Sequence, residues 1–421
     1  MQITFIGFPF PCFFMLYYLL GVFMNPQFAF RKKLIATVVL SVLGAALIPS
    51  TALASEADVM KEIEALRAEI QALKAQAAAK PAAAPAATTE GKSVSAQSGK
   101  FEFYGVLDVG LESNDDGRLK RTVMQSFSSN IGFRGERALT SGLNGLLQIE
   151  TKIAPDSSDN SKPFASRNSY VGLGGNLGSV IWGTYDTPLK AMKANVKMLE
   201  GNADTMEHII HGKANAAIGA NFHSRPMNTL QYWSPDWSGF KLKLAYSPDE
   251  NKGVAPDKTL RKDISSSLEY NSGWWNVGVA TDRKPDYATL DKDISAVKLI
   301  GGIKLDKTTL GLAFSRVDND AGKKASNWMV SGQYVMGPVV LKANYGVAGE
   351  SSGGAQDGGK MIGLEADYVW DKATMIYLYY ANYSADSKAV GFKYDAGENG
   401  YKTTVAGDDA KVLGLAVQYK F

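Results

Sequence analysis

Hydrophobic and polar positions alternate with a period of two from residue 101 to the last residue. In the first run the apolar positions are Phe101, Phe103, Leu107, Val109 and Leu111, and the residues between them are mostly polar. A period of two predicts a β-strand with one apolar face. Sixteen such runs are present, with centres near residues 106, 132, 148, 169, 181, 230, 243, 267, 278, 299, 312, 331, 342, 365, 378 and 416.

The connections between these runs are alternately long and short. The long ones are rich in Asp, Lys, Gly, Ser and Pro and cover residues 113–125, 154–164, 186–224, 247–261, 282–292, 317–325, 347–358 and 384–409. The short ones include residues 305–308, 336–339 and 370–373. Eight long connections and seven short turns are typical of an outer-membrane β-barrel with an even number of strands and both termini in the periplasm.

The final run separates the two faces most clearly. Leu413, Leu415, Val417, Tyr419 and Phe421 alternate with Gly414, Ala416, Gln418 and Lys420. One face is therefore expected to meet lipid and the other water. Aromatic residues also occur where the girdles at the two membrane interfaces are expected. They are Tyr232, Trp233, Tyr246, Tyr270, Trp274, Trp275, Tyr345, Tyr368, Trp370, Tyr379 and Tyr380.

A soluble sandwich or propeller would show the same alternation, but it needs a packed core on the second face. In this chain that face carries Lys241 and Lys243 in one run and Glu365 and Asp367 in another. Charges without partners cannot lie in a dry core. We therefore interpret residues 101–421 as an all-β domain, a sixteen-stranded antiparallel transmembrane β-barrel whose polar face lines water.

Ahead of the barrel the apolar spacing changes to alternating threes and fours. The positions are Ile63, Leu66, Ile70, Leu73 and Ala77, with charged residues between them. This pattern predicts a short periplasmic α-helical coiled coil over residues 55–78. It covers fewer than three heptads, so a single solvated helix is the alternative. Residues 79–100 have the Ala, Pro and Ser composition of a linker.

Residues 1–54 have the features of a leader that is removed on export. Three basic residues, 31–33, precede an uncharged apolar stretch, and Ala52, Leu53 and Ala54 match an A-x-A cleavage pattern. The apolar residues 3–23 could instead form an inner-membrane anchor, but Pro9 and Pro11 interrupt them. We therefore expect a signal peptide whose true translation start is Met24.

Composition excludes several classes of protein. The leader holds three basic residues and no acidic one, so its removal takes the formal charge from +3 to zero. A chain without net positive charge is not expected to bind nucleic acid. The lone Cys12 lies in the leader, which excludes disulfides, cysteine-based metal sites and thiol catalysis from the mature chain.

The histidines give little support to an enzyme. His208 and His211 could share a helical face, but no clear third metal ligand accompanies them. A serine hydrolase would have to use one of these two or His223, whose neighbour Ser224 is adjacent in sequence rather than placed through space. We predict no catalytic residues, no cofactor and no metal.

Several short motifs occur in order within the barrel region. They are residues 131–136 with 142–143, residues 167–173 with 178–180 and 187–189, and residues 225–228 with Tyr232, Ser234, Pro235, Gly239, Phe240 and Tyr246. Together with the terminal Phe421, this set resembles the general bacterial porins, especially the trimeric sixteen-stranded porins of neisserial and Burkholderia type. The resemblance implies a water-filled homotrimer in the outer membrane of a Gram-negative cell, with an inward-folded third loop that narrows each pore.

Two features depart from this family's pattern. The family often has Arg after the glycine that ends the fifth strand, whereas this chain has Thr184 after Gly183, so part of the usual basic row is absent. The predicted coiled coil is also not general in the family. It resembles the periplasmic helices that precede some anion-selective or substrate-specific trimeric channels.

The longest connection, residues 186–224, is the expected third loop. Leu189, Met192, Val196 and Leu199 have helical spacing and predict a short helix packed on the barrel wall. Its acidic residues are Asp186, Glu200, Asp204 and Glu207, and its basic residues are Lys190, Lys193, Lys197 and Lys213, so its net charge is zero. An electric field across the pore, rather than net charge, would then act on a solute.

The predicted pore constriction places the loop acids Asp186, Glu200, Asp204 and Glu207 opposite basic residues of the wall. Strand parity selects Arg134 and Lys152 as those bases, and the family resemblance adds Arg167. Opposed charges across water orient dipolar solutes and set ion preference. The alternative is that these charges pair locally and only hold the loop in place.

Three functions agree with these patterns. The first is an outer-membrane porin that passes small hydrophilic solutes and ions down their gradients. The second is a substrate-selective channel for organic or inorganic anions, which would show saturable transport and a basic majority at the constriction. The third is a barrel-anchored envelope tether, in which the helix contacts peptidoglycan and deletion of residues 56–100 detaches the envelope without changing conductance. In each case the expected surroundings are outer-membrane lipid and lipopolysaccharide.

Overall fold

A computed structural model describes residues 99–139, 142–156, 164–219, 221–248, 262–289, 292–390, 393–394, 401–402 and 405–421. The predicted leader, coiled coil and linker, apart from Gly99 and Lys100, lie outside the described residues. Within the described part of the chain, no helix has both the length and the apolar character that crossing a bilayer requires.

Sixteen strands form the barrel. They are β1 (Gly99–Asp115), β2 in two parts (Lys120–Ser126 and Asn130–Ala138), β3 (Asn144–Lys152), β4 (Ser169–Gly175), β5 (Gly178–Thr184), β6 (Thr229–Trp233), β7 (Phe240–Ser247), β8 (Asp263–Asn271), β9 (Trp275–Thr289), β10 (Lys292–Leu305), β11 (Thr308–Asp318), β12 (Lys324–Met336), β13 (Val339–Ala348), β14 (Gly359–Val369), β15 (Thr374–Ala385) and β16 (Ala410–Lys420). The connection between β15 and β16 contains a small hairpin, Lys393–Tyr394 with Tyr401–Lys402.

Each strand pairs in antiparallel fashion with its neighbours in sequence, and β1 also pairs with β16. This last register runs from Val106 opposite Lys420 to Asp115 opposite Lys411. The two parts of β2 continue along the other edge of β1. The sheet therefore has no free edge, and the predicted sixteen-stranded antiparallel barrel is confirmed.

The chain closes on its terminal aromatic residue. The Gly105 amide donates to the Phe421 carbonyl at 2.9 Å, and the Phe421 amide donates back to the Gly105 carbonyl at 3.1 Å. The Phe421 ring fills the space that a side chain at position 105 would occupy, since a Cβ there would lie 2.3 Å from its Cζ. Glycine at this position therefore lets the last strand seal the barrel.

Alternate residues of most strands differ sharply in exposure. On β11, Leu310, Leu312 and Phe314 are 46%, 55% and 38% exposed, whereas Ala313 and Ser315 are each 1% exposed. Apolar side chains on the outer face of a spanning barrel contact lipid, and the polar or small ones face inward. The period of two in the sequence thus assigned the two faces of this strand correctly.

Two predicted long connections are shorter than expected. The one assigned to residues 113–125 is only a turn between Asp115 and Lys120, and the one assigned to 282–292 is mostly strand, because β9 continues to Thr289. Both stretches are polar. Where a hairpin extends beyond the bilayer, both of its faces meet water, so the ladder persists although the apolar alternation ends.

Two aromatic residues assigned to the girdles face inward instead. Tyr379 is 1% exposed and its hydroxyl donates to the Glu112 carboxylate. Trp233 packs against Tyr185 at a ring distance of 4.8 Å. In both cases a run of adjacent aromatic residues obscured the parity of the strand.

Candidate functional site

The connection between β5 and β6 runs along the inner face of the wall. Its only α-helix among the described residues is α1 (Pro188–Ala191), which begins at the Thr187 cap with Pro188 in its first turn. The chain becomes extended at Met192, so the helix ends sooner than the spacing predicts. The four apolar residues that carried that prediction, Leu189, Met192, Val196 and Leu199, are nevertheless all fully buried.

Glycines of the wall make room for these apolar side chains. A Cβ added at Gly278 would lie 2.7 Å from the Met192 sulfur, and one added at Gly363 would lie 2.7 Å from Leu199. At Gly311 the nearest atoms include the Val196 backbone at 2.9 Å. All three glycines share the inward parity of their strands. The segment therefore lies flat against the barrel wall.

Asp186 is engaged in local ion pairs rather than facing open solvent. Its carboxylate lies 2.8 Å from Lys190 Nζ and 2.9 Å from Arg225 Nε. Burial alone would raise the pKa of Asp186, but the charges of Lys190 and Arg225 outweigh it and hold that pKa at about 2. Burial lowers the pKa of Lys190 to about 8. The carboxylate of Asp186 is therefore paired with neighbouring basic groups.

Four of the seven predicted site residues meet at one cavity of about 240 Å³. Arg167 of the wall lines it together with Glu200, Asp204 and Glu207 of the segment. Lys197 Nζ lies 3.3 Å from the Asp204 carboxylate and also lines the cavity. The cavity lining thus carries charges of both signs.

Arg167 is held in position by β3. Its Nε donates to the Glu150 carboxylate at 2.6 Å, and its amide donates to the Glu150 carbonyl at 3.0 Å. The second carboxylate oxygen of Glu150 accepts from the Tyr104 hydroxyl at 3.0 Å. With its Nε engaged by Glu150, the guanidinium can present its remaining donors to the cavity.

Arg134 and Lys152 are not among the residues that line this cavity. Arg134 forms a two-pronged pair with Glu102, at 2.7 and 2.8 Å, and both side chains are more than half exposed. Its strand neighbour Asn130 does line the cavity. Four strand residues span about 13 Å, so Arg134 lies well below the cavity although it has the correct parity.

Sequence reasoning missed several residues of the cavity wall. Asp108 on β1, and Gln418 and Lys420 on β16, all line it. Each lies on the polar face of a strand whose alternation was recognised, so parity could have found them. What parity cannot supply is the pairing of the first strand with the last, which places these residues beside the segment.

The anchoring of the segment was also not predicted. Asn202 donates to the Glu112 carboxylate at 2.7 Å, and Gln125 donates to it at 2.5 Å. The Glu200 amide donates to the Glu365 carboxylate at 2.7 Å, and Lys342 pairs with that carboxylate at the same distance. Two inward carboxylates of the wall therefore hold the turn Gly201–Ala203 from opposite sides.

The described residues contain no cluster of three or more His, Asp or Glu side chains arranged to bind a metal ion. The charged groups of the cavity instead form one mixed surface. Four acidic residues, Asp108, Glu200, Asp204 and Glu207, lie beside three basic ones, Arg167, Lys197 and Lys420. Such a surface favours water and polar solutes over apolar ones.

Comparison with known proteins agrees with this geometry. The chain is 26% identical over 322 residues to the major outer membrane protein P.IB of Neisseria sicca, covering 65% of this chain and 85% of that protein. It is 23% identical over 238 residues to a monosaccharide porin of a Halomonas species, covering 52% of this chain and 63% of that one.

Among solved structures, the anion-selective porin of Comamonas acidovorans aligns with a TM-score of 0.66 and 19% identity. The alignment covers 77% of this chain and all of that one. At this identity the likeness concerns the fold. The sequence model of the Gram-negative porins matches residues 75–388, about three quarters of the chain. The chain therefore belongs to the Gram-negative porin family, as its motifs indicated.

Proposed function

We propose that the barrel is a water-filled outer-membrane channel for passive diffusion of small hydrophilic solutes and ions, and that residues 186–224 are its inward-folded third loop. The observation that carries this proposal is the contact of the segment with inward-facing glycines of the wall beside a charged cavity. A segment in this position narrows the lumen and leaves a polar passage along one side. Such a passage lets solutes move down their gradients, which is passive transport.

Within this proposal, Arg167 of the wall faces Glu200, Asp204 and Glu207 of the loop across the constriction, and Lys197 lies on the loop side, where it pairs with Asp204. Opposed charges orient dipolar solutes along the field between them and raise the free energy of apolar solutes in the passage. We propose that Arg134, Lys152 and Asp186 act outside the narrowest part, Arg134 near the end of the barrel and Asp186 as a support of the segment.

The anion-selective alternative requires a basic majority at the constriction. The cavity carries four carboxylates and three basic groups instead, which favours the general channel. The envelope tether depends on residues 55–78 and stays a separate proposal, together with the signal peptide, the linker and contact with peptidoglycan or lipopolysaccharide.

We also propose a homotrimer, on the basis of strand length. Strands β4 to β7 have 7, 7, 5 and 8 residues. A spanning strand needs about 9–11 residues. Apolar residues on the outer face of this side include Val171 and Trp182, which are 57% and 46% exposed. These strands are too short to match the thickness of the bilayer core. In a trimer, neighbouring copies rather than lipid would cover this side of the barrel.

Replacing residues 189–218 by a short Gly-Ser linker should raise the conductance of each channel about two- to threefold, because current through a water-filled pore grows with its open cross-section. The measurement is step size in planar bilayers, with refolded protein and with the full-length loop as reference. Steps in groups of three would support the trimer. An unchanged step size would contradict the proposal that this segment sets the constriction.

Neutralising one loop acid should shift ion preference toward anions. Glu200→Gln removes a charge from the cavity lining. At about 5 Å in water this charge stabilises a passing cation by about 0.8 kcal/mol and destabilises an anion by about the same amount, so the cation-to-anion permeability ratio should fall about 15-fold. The reversal potential in a KCl gradient measures this ratio. The double variant Glu102→Gln/Arg134→Gln removes an exposed pair outside the cavity and serves as the control. An equal shift in both variants would rule out a special role of the cavity acids.

A further inference from the structure

Two histidines of the loop form a continuous hydrogen-bonded chain with the barrel wall. Lys298 of β10 lies with its Nζ 2.9 Å from His211 Nε2. His211 Nδ1 lies 3.0 Å from His223 Nδ1. His223 Nε2 in turn lies 3.5 Å from a Glu207 carboxylate oxygen. None of these groups has a part in the proposed constriction except Glu207.

The direction of hydrogen-bond donation along this series follows from the chemistry of the two end groups, Lys298 and Glu207. When Lys298 is charged, its ammonium group can only donate, so Nε2 of His211 accepts and the ring proton of His211 is on Nδ1. That proton is donated to His223 Nδ1, which leaves the His223 proton on Nε2, facing Glu207. Glu207 can only accept when ionised. With Lys298 charged, this arrangement has both imidazoles neutral, each in a single tautomer.

Lys298 uses its two other donors on the same loop. Its Nζ donates to the Leu189 carbonyl at 3.0 Å and to the Met192 carbonyl at 2.5 Å. The side chain is fully buried, so its three donors are satisfied by three loop acceptors. One wall lysine thus holds the end of α1 and, through His211, the later half of the loop.

We propose that Lys298, His211 and His223 form a latch that positions the third loop, and that protonation of the histidines at mildly acidic pH releases it. Lys298 is a positioning residue in this scheme, since it sets the constriction through the loop. A proton on His211 removes the only acceptor that Nε2 offers to Lys298 and puts two cations at 2.9 Å. A proton on His223 likewise removes the acceptor for His211 Nδ1.

Most of the charged groups around the latch are lysines, which oppose its protonation. From the loop it faces Lys190, Lys193, Lys197, Lys213 and Glu207. The barrel wall contributes two more lysines. Lys298 contacts His211 directly. Lys284 donates to Ser224, the residue after His223, and pairs with Asp263 and Asp282. Burial, followed by Lys298, lowers the pKa of His211 well below its usual range, and burial, followed by Lys190 and Lys193, lowers that of His223.

The sign of the pH effect follows from these directions. A histidine in the released loop titrates near its usual pKa of about 6.5. In the latched loop it stays neutral at lower pH, so the released state binds more protons below about pH 6.5 and is favoured there. Each histidine then shifts the ratio of latched to released loop by up to about tenfold per pH unit, and the pair by up to about a hundredfold.

The test is single-channel recording of the full refolded chain at pH 7.5 and at pH 5.5. The inference rests on the proposed channel function, and the two can fail separately. Absence of conductance steps at pH 7.5 would reject the channel. Steady steps at pH 7.5 that become closures or fluctuating substates at pH 5.5 are expected if the latch operates. Equal behaviour at both values would overturn the latch.

Variants assign the response to its residues. His211→Gln/His223→Gln should give recordings that no longer depend on pH between 7.5 and 5.5. His208→Gln changes the one histidine of the sequence that is not in the latch, and this variant should keep the acid response. Lys298→Met should fluctuate already at pH 7.5. An acid response that persists in the double variant, or that disappears in His208→Gln, would overturn the inference even if Lys298→Met fails to refold.

Discussion

Replacing Glu112 by alanine should lower the free energy of unfolding of the barrel by about 3 kcal/mol or more. The Glu112 side chain is 1% exposed and accepts hydrogen bonds from Tyr379, Asn202 and Gln125. Alanine would leave three buried donors without this acceptor, and each unsatisfied buried donor costs about 1–3 kcal/mol. The substitution weakens four elements at once, because Glu112 lies on β1 and its three donors come from β2, β15 and the third loop.

Equilibrium unfolding by guanidinium in detergent, followed by far-ultraviolet circular dichroism, measures this loss. Asn202→Ala is the matched control, since it removes only the donor from the loop and should cost about 1 kcal/mol. It should also increase conductance noise, because the turn Gly201–Ala203 loses one of its two attachments. Equal losses in the two variants would mean that Glu112 supports only the loop and not the wall.

Gly183→Val should prevent refolding of the barrel at the junction of β4 and β5. Gly183 has a φ of +151°, and a Cβ at this position would lie 2.3 Å from the Ser169 carbonyl and 2.8 Å from Tyr170 Cα. Both contacts are with backbone atoms of the paired strand, which cannot move aside without breaking the ladder. Strain of this kind, added to a lost strand pairing, exceeds about 3 kcal/mol.

Heat-modifiable migration on a gel and circular dichroism report whether this variant refolds. Gly301→Ala is the control, because the nearest atom to its added Cβ, the Asn276 carbonyl oxygen, is 4.0 Å away. We expect the control to refold with the same yield as the unchanged protein. A folded Gly183→Val barrel would mean that β4 and β5 can separate here without loss of the fold.

The fold was predictable because a membrane barrel repeats one local rule along most of its length. Lipid on one side and water on the other impose a period of two, which fixed the number of strands and assigned Leu413 and Gln418 to opposite faces. The rule fails where both sides are wet, as in the outer part of β9, and where aromatic residues follow one another, as at Tyr379 and Tyr380.

The site was predictable only in part. The charges of the loop and the inward parity of Arg167 are local properties, and four of the seven residues predicted for the constriction do line one cavity. Height along the barrel is not local, and for this reason Arg134 has the correct parity but pairs with Glu102 elsewhere.

The amino-acid sequence alone determined the class of protein, the strand count, the two faces and the position of the long third loop, because alternation and loop composition are set by neighbouring residues. Tertiary structure alone decided which groups meet across the lumen: Glu112 with Asn202, Lys298 with His211, and Asp108 with Arg167 at one cavity. These partners come from distant strands. Their approach depends on closure of the sheet and on the space that wall glycines leave, and no local pattern encodes it.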